Sequence, residues 1–144
     1  MSHPITILDM SDAEAVRRCF AVFKALRPHL DEAEYARRVA VQAQEGYRIA
    51  CIERDGRVDA AAGYRLAHFL AWGRVIYIDD LITLPGRTRE GLGGSLLDFL
   101  IATARELDCD AVHLDSGHAR HDAHRLYLNK GFRLSSHHFA LALR

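Results

Sequence analysis

Apolar positions along the chain follow two different periods. Spacings of three and four residues are typical of amphipathic helices, whereas short β-branched or alternating apolar runs bounded by turn residues are typical of strands. The predicted helices cover residues 12–26, 31–44, 93–107 and 122–130. The predicted strands cover residues 4–8, 47–53, 58–69, 74–83, 111–114, 132–135 and 138–143. This order predicts a single α/β (α+β) domain over residues 1–144, with a mixed central sheet of about seven strands and helices on both faces.

The run YIDDLITLPGRTREGLGGSLL, from Tyr77 to Leu97, joins a strand, a glycine-rich turn and a helix without a break. Three of its four glycines, Gly91, Gly93 and Gly94, stand where the apolar spacing of the helix begins. A helix N-terminus presents unpaired backbone N–H groups at the positive end of the helix dipole, and glycine lets a ligand approach the backbone closely. The run therefore predicts a seat for a phosphate group.

Two common phosphate-binding motifs do not fit this turn. A P-loop needs a lysine directly after its last glycine, but Leu92 follows Gly91. A dinucleotide-binding turn needs a third glycine where Leu96 stands, and only one βαβ unit is visible in the sequence. A glycine turn that only eases the packing of helix against strand remains an alternative.

Two patterns carry a family resemblance. The turn places Gly91 and Gly93 in a Gly-x-Gly spacing, and residues 123–132 read AHRLYLNKGF. Together they resemble the turn Arg/Gln-x-x-Gly-x-Gly/Ala and the signature Ala-x-x-Leu-Tyr-x-x-x-Gly-Phe of the GNAT superfamily of acyl-CoA-dependent N-acetyltransferases. The order of predicted helices and strands over about residues 4–143 is also similar to that of the family. The resemblance therefore implies the GNAT fold.

The turn departs from the family pattern at one position. Thr88 stands where the family has a basic residue. Arg87 and Arg89 flank it, so the positive charge of the turn comes from its neighbours.

The resemblance implies an N-acetyltransferase that moves the acetyl group of acetyl-CoA to a primary amine by direct attack in a ternary complex. Such a reaction needs a base for the ammonium group, an N–H group for the developing oxyanion and an acid for the leaving thiolate. The alternatives are a non-catalytic acyl-CoA-binding sensor or regulatory module, and a nicotinamide-binding fold. Release of free thiol in the presence of an amine separates the enzyme from the sensor.

The resemblance assigns the three chemical roles to three residues. Tyr127 is the expected acid, because the family signature places its tyrosine beside the thioester sulfur; a packing aromatic is the alternative. Asp79 is the expected base, since YIDDL is similar to the Tyr-Leu-Glu-Asp run of diamine acetyltransferases within the family. Adjacent carboxylates in an apolar strand should point to opposite faces, and ion pairing or acceptor binding are the alternatives for Asp79 and Asp80. The N–H group of Leu81 is expected to bind the oxyanion.

The cofactor, acetyl-CoA as acyl donor, is expected to lie along the end of the strand, the glycine turn and the last helix. Backbone groups of the strand should bond the pantetheine arm as an added strand would, and N–H groups of the turn should hold the diphosphate. The expected cofactor-binding residues are Leu81, Ile82, Thr83, Arg87, Thr88, Arg89, Glu90, Gly91, Leu92, Gly93, Gly94, Ser95, Arg120, Tyr127 and Lys130. The expected acceptor-site residues are Asp79, Asp80, Asp115 and His118, with His118 or His121 as an alternative base.

Composition limits the partners, location and metal sites that the sequence predicts. Lys plus Arg and Asp plus Glu number 19 each, so no charge excess indicates nucleic acid or an anionic membrane as a partner. The N-terminus has acidic residues and no long apolar run, which predicts a cytoplasmic protein without a signal peptide. Cys19, Cys51 and Cys109 are expected to be small buried residues, and no metal site is expected from the histidines. The expected partner is a small-molecule or peptide amine, and members of the family often form homodimers through terminal strands.

Overall fold

The computed structural model of the chain describes residues 3–87 and 90–144. Within these ranges the elements, in chain order, are β1 (Thr6–Ile7), α1 (Ala13–Arg18), α2 (Phe20–Leu26), α3 (Glu32–Gln44), β2 (Arg48–Arg54), β3 (Arg57–Phe69), β4 (Gly73–Thr83), α4 (Leu92–Glu106), β5 (Ala111–Leu114) and α5 (His121–Asn129). The chain forms two compact units, one ending at His113 and the other spanning Leu114–Arg144. That residues 1–144 form a single domain stays a prediction.

The strands of the described residues form one sheet in the order β1-β2-β3-β4-β5. Neighbouring strands from β1 to β4 are antiparallel, and the β3–β4 pairing begins with Phe69 opposite Gly73. β5 lies beside β4, where the Asp110 N–H group donates to the Arg74 carbonyl at 2.7 Å. Helix α4 carries the chain from the end of β4 back to the start of β5, so the sheet is mixed, as predicted.

The sheet is smaller than the sequence predicted. Among the described residues it has five strands rather than about seven, and residues 132–144 form neither helix nor strand. The strands predicted at 132–135 and 138–143 are therefore wrong. Their apolar pattern suits a strand, but a strand also needs a neighbour for its N–H and C=O groups, and no described strand pairs with them. Four large apolar side chains of this segment are 85% to 91% exposed, namely Leu134, Phe139, Leu141 and Leu143, and Phe132 is partly buried.

The helix predicted over 12–26 is divided in two. Cys19 separates α1 from α2, because its N–H group bonds the Val16 carbonyl three residues back rather than four. The other predicted helices agree with α3, α4 and α5 to within one residue at each end. None of the helices in the described ranges has the length and apolar character needed to cross a membrane.

The sheet is flanked by helices that bury apolar faces against it. Helices α1 to α3 share one buried cluster with the first strands, and α4 buries a second set; each large side chain contributes about 1.5–3 kcal/mol. The first cluster includes Leu8, Val16, Val22, Phe23, Tyr35, Val39, Tyr47 and Ile49. The second includes Leu92, Leu96, Leu97, Leu100 and Ala104. Cys19 and Cys51 are buried as predicted, whereas Cys109 is only partly buried.

A close approach between β3 and a core aromatic yields a stability prediction. A Cβ atom at Gly63 would overlap the hydroxyl and ring of Tyr47, whose side chain is buried. We expect Gly63→Ala to lower the free energy of unfolding by about 1–3 kcal/mol, because the core must shift to admit the methyl group. Urea unfolding measures it, with Gly117→Ala as the control, since a Cβ there meets no atom within 4 Å. Equal stability of the two variants would contradict the close approach.

Candidate active site

Strand β4 carries one extra residue where the predicted base lies. Gly63 of β3 stands opposite Asp80, but the next residue, Tyr64, stands opposite Ile78. Asp79 is therefore the unpaired residue of a β-bulge. Such a bulge turns side chains out of strict alternation and is common beside active sites.

Asp79 forms a bidentate ion pair with Arg65. The Nε and Nη2 atoms of Arg65 donate to its two carboxylate oxygens at 3.1 and 2.7 Å, and both side chains are about one-fifth exposed. Burial raises the pKa of Asp79 above its usual value, although the bonds and charge of Arg65 oppose that rise. The ion pair considered at the sequence level is thus present. The role of Asp79 as a base stays a prediction.

Asp80 is held by two other side chains. The Tyr47 hydroxyl donates to one oxygen at 2.7 Å, and Arg27 donates to the other through Nε at 3.1 Å and Nη2 at 2.9 Å. Burial raises the pKa of Tyr47 well above its usual value, so its hydroxyl remains a donor at neutral pH. The Arg65 guanidinium lies 5.5 Å from the centroid of the Tyr47 ring.

These contacts link both carboxylates in one group, here called the carboxylate cluster. Its members are Arg27, Tyr47, Arg65, Asp79 and Asp80. The sequence predicted that the adjacent carboxylates point to opposite faces of the strand. The bulge interrupts that alternation, and both carboxylates enter the linked cluster. Its two arginines and the tyrosine belong to no local motif. The sequence could have indicated only that half-buried carboxylates require positively charged or hydrogen-bond-donating partners, without saying which residues these are.

Beyond the bulge, β4 continues through the residues expected to bind the pantetheine arm. Leu81 is buried, Ile82 and Thr83 are half-buried, and all three pair with β3 on one side. On the other side, β5 has four residues and begins next to Asp110, which bonds Arg74. Because strands rise about 3.3 Å per residue, Leu81 lies beyond the length of β4 that β5 can cover.

The glycine turn leads into α4 with an unusual backbone. Gly91 is the N-cap residue and has φ 76°, a left-handed conformation that favours glycine. Because Gly91 has no side chain, no N-cap side chain competes with a ligand for the N–H groups of the first turn. The Leu92 side chain is fully buried and leaves only its backbone for binding. Thr88 and Arg89 lie outside the described residues.

The rest of the turn is held by local bonds. The Arg87 N–H group donates to the Leu84 carbonyl at 3.0 Å, and the Glu90 N–H group donates to the Arg87 carbonyl at 3.3 Å. The Ser95 N–H group bonds the Gly91 carbonyl at 3.0 Å, which begins the regular α4 hydrogen bonds.

Tyr127, the expected acid, is a buried residue of α5. Its ring centroid lies 6.0 Å from that of Phe132, so the packing considered as an alternative is also present. Burial raises the pKa of Tyr127, and Arg120, at the N-cap position of α5, opposes the rise. Lys130 is the exposed C-cap residue of the same helix.

The expected acceptor residues of the second unit lie after β5. Asp115 accepts from His138 Nδ1 at 3.1 Å, and His118 and His121 are exposed. His124 instead contacts the Gly117 carbonyl through Nε2 at 2.8 Å. Within residues 3–87 and 90–144, no group of three or more histidine, cysteine, aspartate or glutamate side chains could hold a metal ion.

Comparison with known proteins identifies the family. Residues 13–132 match the Acetyltransferase (GNAT) family. The uncharacterized N-acetyltransferase YhdJ of Bacillus subtilis is 29% identical over 137 residues, which cover 94% of this chain and 96% of YhdJ. The aminoalkylphosphonate N-acetyltransferase of Salmonella typhimurium is 33% identical over 98 residues, which cover 67% of this chain and 62% of that protein.

The fold is also shared with a solved acetyltransferase. The aminoglycoside N-acetyltransferase AAC(6')-Iy, in complex with CoA, superimposes with a TM-score of 0.79 at 14% identity, over 100% of this chain and 97% of that one. Neither the family match nor these relatives support the non-catalytic alternative. The chain belongs to the Acetyltransferase (GNAT) family, and it is an acetyl-CoA-dependent N-acetyltransferase, as the motifs around Gly91 and Tyr127 predicted.

Proposed function

We propose that the chain acetylates a small-molecule primary amine by direct attack on acetyl-CoA in a ternary complex, with the β4 bulge at the reaction centre. The observation that carries the proposal is the bulge itself. It places a half-buried carboxylate, Asp79, two residues from the Leu81 N–H group, on a strand that leads directly into the glycine turn.

Asp79 is the proposed base. An alkyl ammonium group has a pKa near ~10.4, so only about one molecule in a thousand is neutral and able to attack at pH 7. The raised pKa of Asp79 moves it toward the range in which a carboxylate accepts a proton more readily. Asp79 removes the proton directly or through one water molecule, and its charge also attracts the ammonium group. His118 and His121 remain the alternative bases.

The end of β4 and the glycine turn are proposed to hold the cofactor. Leu81, Ile82 and Thr83 bond the pantetheine arm through backbone groups, as an added strand would, and the Leu81 N–H group stabilises the oxyanion. Support comes from the short β5, whose length ends before this part of β4. The first-turn N–H groups of α4 hold the diphosphate. Acetyl-CoA supplies the activated acyl group as a thioester.

Tyr127 is the proposed acid, which protonates the departing sulfur. Its raised pKa keeps the phenol protonated at neutral pH, as a proton donor requires. A thiol has a pKa of ~8.5, so the thiolate readily takes a proton as the C–S bond breaks. Arg120 and Lys130 are proposed to contact the cofactor beside it.

The carboxylate cluster points to a class of acceptor. Its two aspartates and two arginines carry no net charge, which suits an amine that also bears an anionic group better than a polyamine. The amine would approach Asp79, and the anionic group would approach Arg27 or Arg65. The name of the Salmonella relative, an aminoalkylphosphonate N-acetyltransferase, agrees with this class. Asp115 and His118 remain proposed acceptor-binding residues. A cytoplasmic location and a homodimer stay predictions.

Thiol release from acetyl-CoA tests the proposed function. We expect saturable release with an aminoalkylphosphonate, and a higher kcat/KM than with a plain monoamine or diamine of similar length. Acetyl-CoA should also raise the melting temperature, because a ligand at 100 times its Kd stabilises by about 2.7 kcal/mol. Binding without thiol release for any amine would contradict the enzymatic proposal. A preference for the diamine would contradict only the acceptor class.

The pH dependence of the rate tests Asp79. Its carboxylate is the active form, so activity is present above its pKa and lost as the pH falls through it. We expect Arg65→Gln to move this acid limb to higher pH, because the variant removes bonds and charge that lower the pKa while the burial that raises it remains. The measurement is kcat/KM against pH, with Arg37→Gln as the surface control. An unmoved limb would show that the acid limb does not report on Asp79.

Tyr127→Phe tests the acid. We expect kcat to fall by about 100-fold or more with little change in cofactor Kd, since only proton transfer is lost. Tyr64→Phe is a matched control, because burial also raises the pKa of Tyr64 and no described side chain accepts a hydrogen bond from its hydroxyl. Equal rates for the two variants would leave Tyr127 a packing role only.

A further inference from the structure

A buried carboxylate anchors two arginines next to the glycine turn. Asp59 lies near the start of β3, and its side chain is 1% exposed. It accepts from the Nε atoms of Arg54 and Arg57, each at 2.8 Å. Its backbone carbonyl accepts from the Leu84 N–H group at 2.7 Å. The β2–β3 hairpin is thereby tied to the segment that follows β4.

The second edge of the Arg54 guanidinium faces the turn. Its Nη2 and Nη1 atoms contact the two carboxylate oxygens of Glu90 at 2.8 and 3.5 Å. Glu90 directly precedes Gly91, the N-cap residue of α4, and also lies 3.7 Å from Arg87 Nη1. Arg54 thus links the buried carboxylate of Asp59 to the carboxylate of Glu90, next to the N-terminus of α4.

A guanidinium fixed in this way is a pre-organised anion binder. Asp59 orients it through Nε, so little side-chain entropy remains to be lost when Nη1 and Nη2 bind two oxygen atoms. Carboxylate and phosphate both present paired oxygens that match this fork. The contacts with Glu90 show that this edge of Arg54 can hold an anion with paired oxygens.

The charges around the turn favour an exchange of Glu90 for a phosphate group. Among the described residues, Arg54, Arg57 and Arg87 contribute three positive charges, and Asp59 and Glu90 contribute two negative ones. Once Glu90 leaves, the remaining groups carry a net positive charge directly beside the α4 N-terminus. This charge compensates for Thr88, which stands where the family has a basic residue.

We propose that Arg54 is a phosphate-binding residue of the cofactor seat, and that Glu90 is an internal competitor which the incoming phosphate displaces from it. The proposal rests on the proposed function, because it assumes that acetyl-CoA binds at the glycine turn. It extends the seat to the β2–β3 hairpin, which no sequence motif marks. Glu90 then sets the affinity, since every binding event must break its two contacts with Arg54.

Calorimetric Kd values for acetyl-CoA test the proposal with five purified full-length proteins: wild type, Arg54→Gln, Arg57→Gln, Glu90→Gln and the Glu90→Gln/Arg54→Gln double variant. Arg57→Gln is the matched control, because it removes an equivalent 2.8 Å bond from Asp59 and leaves the Arg54–Glu90 contacts in place. We expect Arg54→Gln to weaken binding by about 10-fold or more, as expected for a lost charged hydrogen bond. Arg57→Gln should change Kd by less than about threefold, since only screened charge is lost. Glu90→Gln should tighten binding, and this gain should vanish in the Glu90→Gln/Arg54→Gln double variant.

Shortened donors identify the phosphate group. Acetyl-pantetheine, which carries no phosphate group, should bind all five proteins alike. If Arg54→Gln weakens acetyl-dephospho-CoA as much as acetyl-CoA, Arg54 binds the diphosphate; if only acetyl-CoA is weakened, it binds the 3'-phosphate.

The outcomes separate failure of this proposal from failure of the proposed function. Wild-type protein that binds no acetyl-CoA would overturn the cofactor seat itself. Normal wild-type binding with equal Kd values for Arg54→Gln and Arg57→Gln would overturn the role of Arg54 alone. Unchanged or weaker binding by Glu90→Gln would overturn the competition. Should Arg54→Gln fail to fold, Arg54→Lys keeps the charge without the fork and should still weaken binding.

Discussion

The pairing of β3 with β4 is the constraint on which the candidate site depends. This pairing holds β4 in register from Gly73 to Thr83, except at Asp79, where one extra residue enters. A strand in strict alternation would send the side chains of Asp79 and Asp80 to opposite faces. The bulge interrupts this alternation at Asp79. Regular pairing with β3 resumes at Asp80 and continues to Thr83. Strand β4 thus contributes both aspartates of the carboxylate cluster and, directly after them, a regularly paired stretch of backbone.

The carboxylate cluster has a modest role in stability. Exposed ion pairs contribute about 0–1 kcal/mol, and the cost of removing charges from water offsets much of the attraction between buried ones. Arg27 is almost half exposed, whereas Asp79, Asp80 and Arg65 are each about one-fifth exposed. Such a cluster fixes the orientation and proton affinity of its carboxylates more than it holds the fold together. The apolar core, to which α1 to α4 and the strands both contribute buried side chains, accounts for most of the stabilisation.

Much of the fold was readable from periodicity, because amphipathic faces and glycine turns are local features. The helix after Gly91 and the strand before Pro85 appear where the sequence predicted them. The bulge was not readable, since it depends on the register between two strands. Arg27, Tyr47 and Arg65 were missed because they meet the carboxylates only through tertiary contacts. At 138–143 the error went the other way, and the sequence predicted a strand that is not there. Apolar alternation can be read from the local sequence, but a strand also needs a paired neighbour, which the local sequence does not show.

A seat made largely of main-chain groups has an evolutionary consequence. The proposed contacts with the cofactor use backbone N–H groups and the left-handed conformation of Gly91, so they demand one glycine and few particular side chains. Sequences can therefore drift far while the geometry of strand, turn and helix persists. The solved acetyltransferase with 14% identity and a TM-score of 0.79 has the same fold at this low identity. If the proposed assignment holds, substitutions around the bulge would change the acceptor preference and leave the proposed backbone contacts with the donor intact.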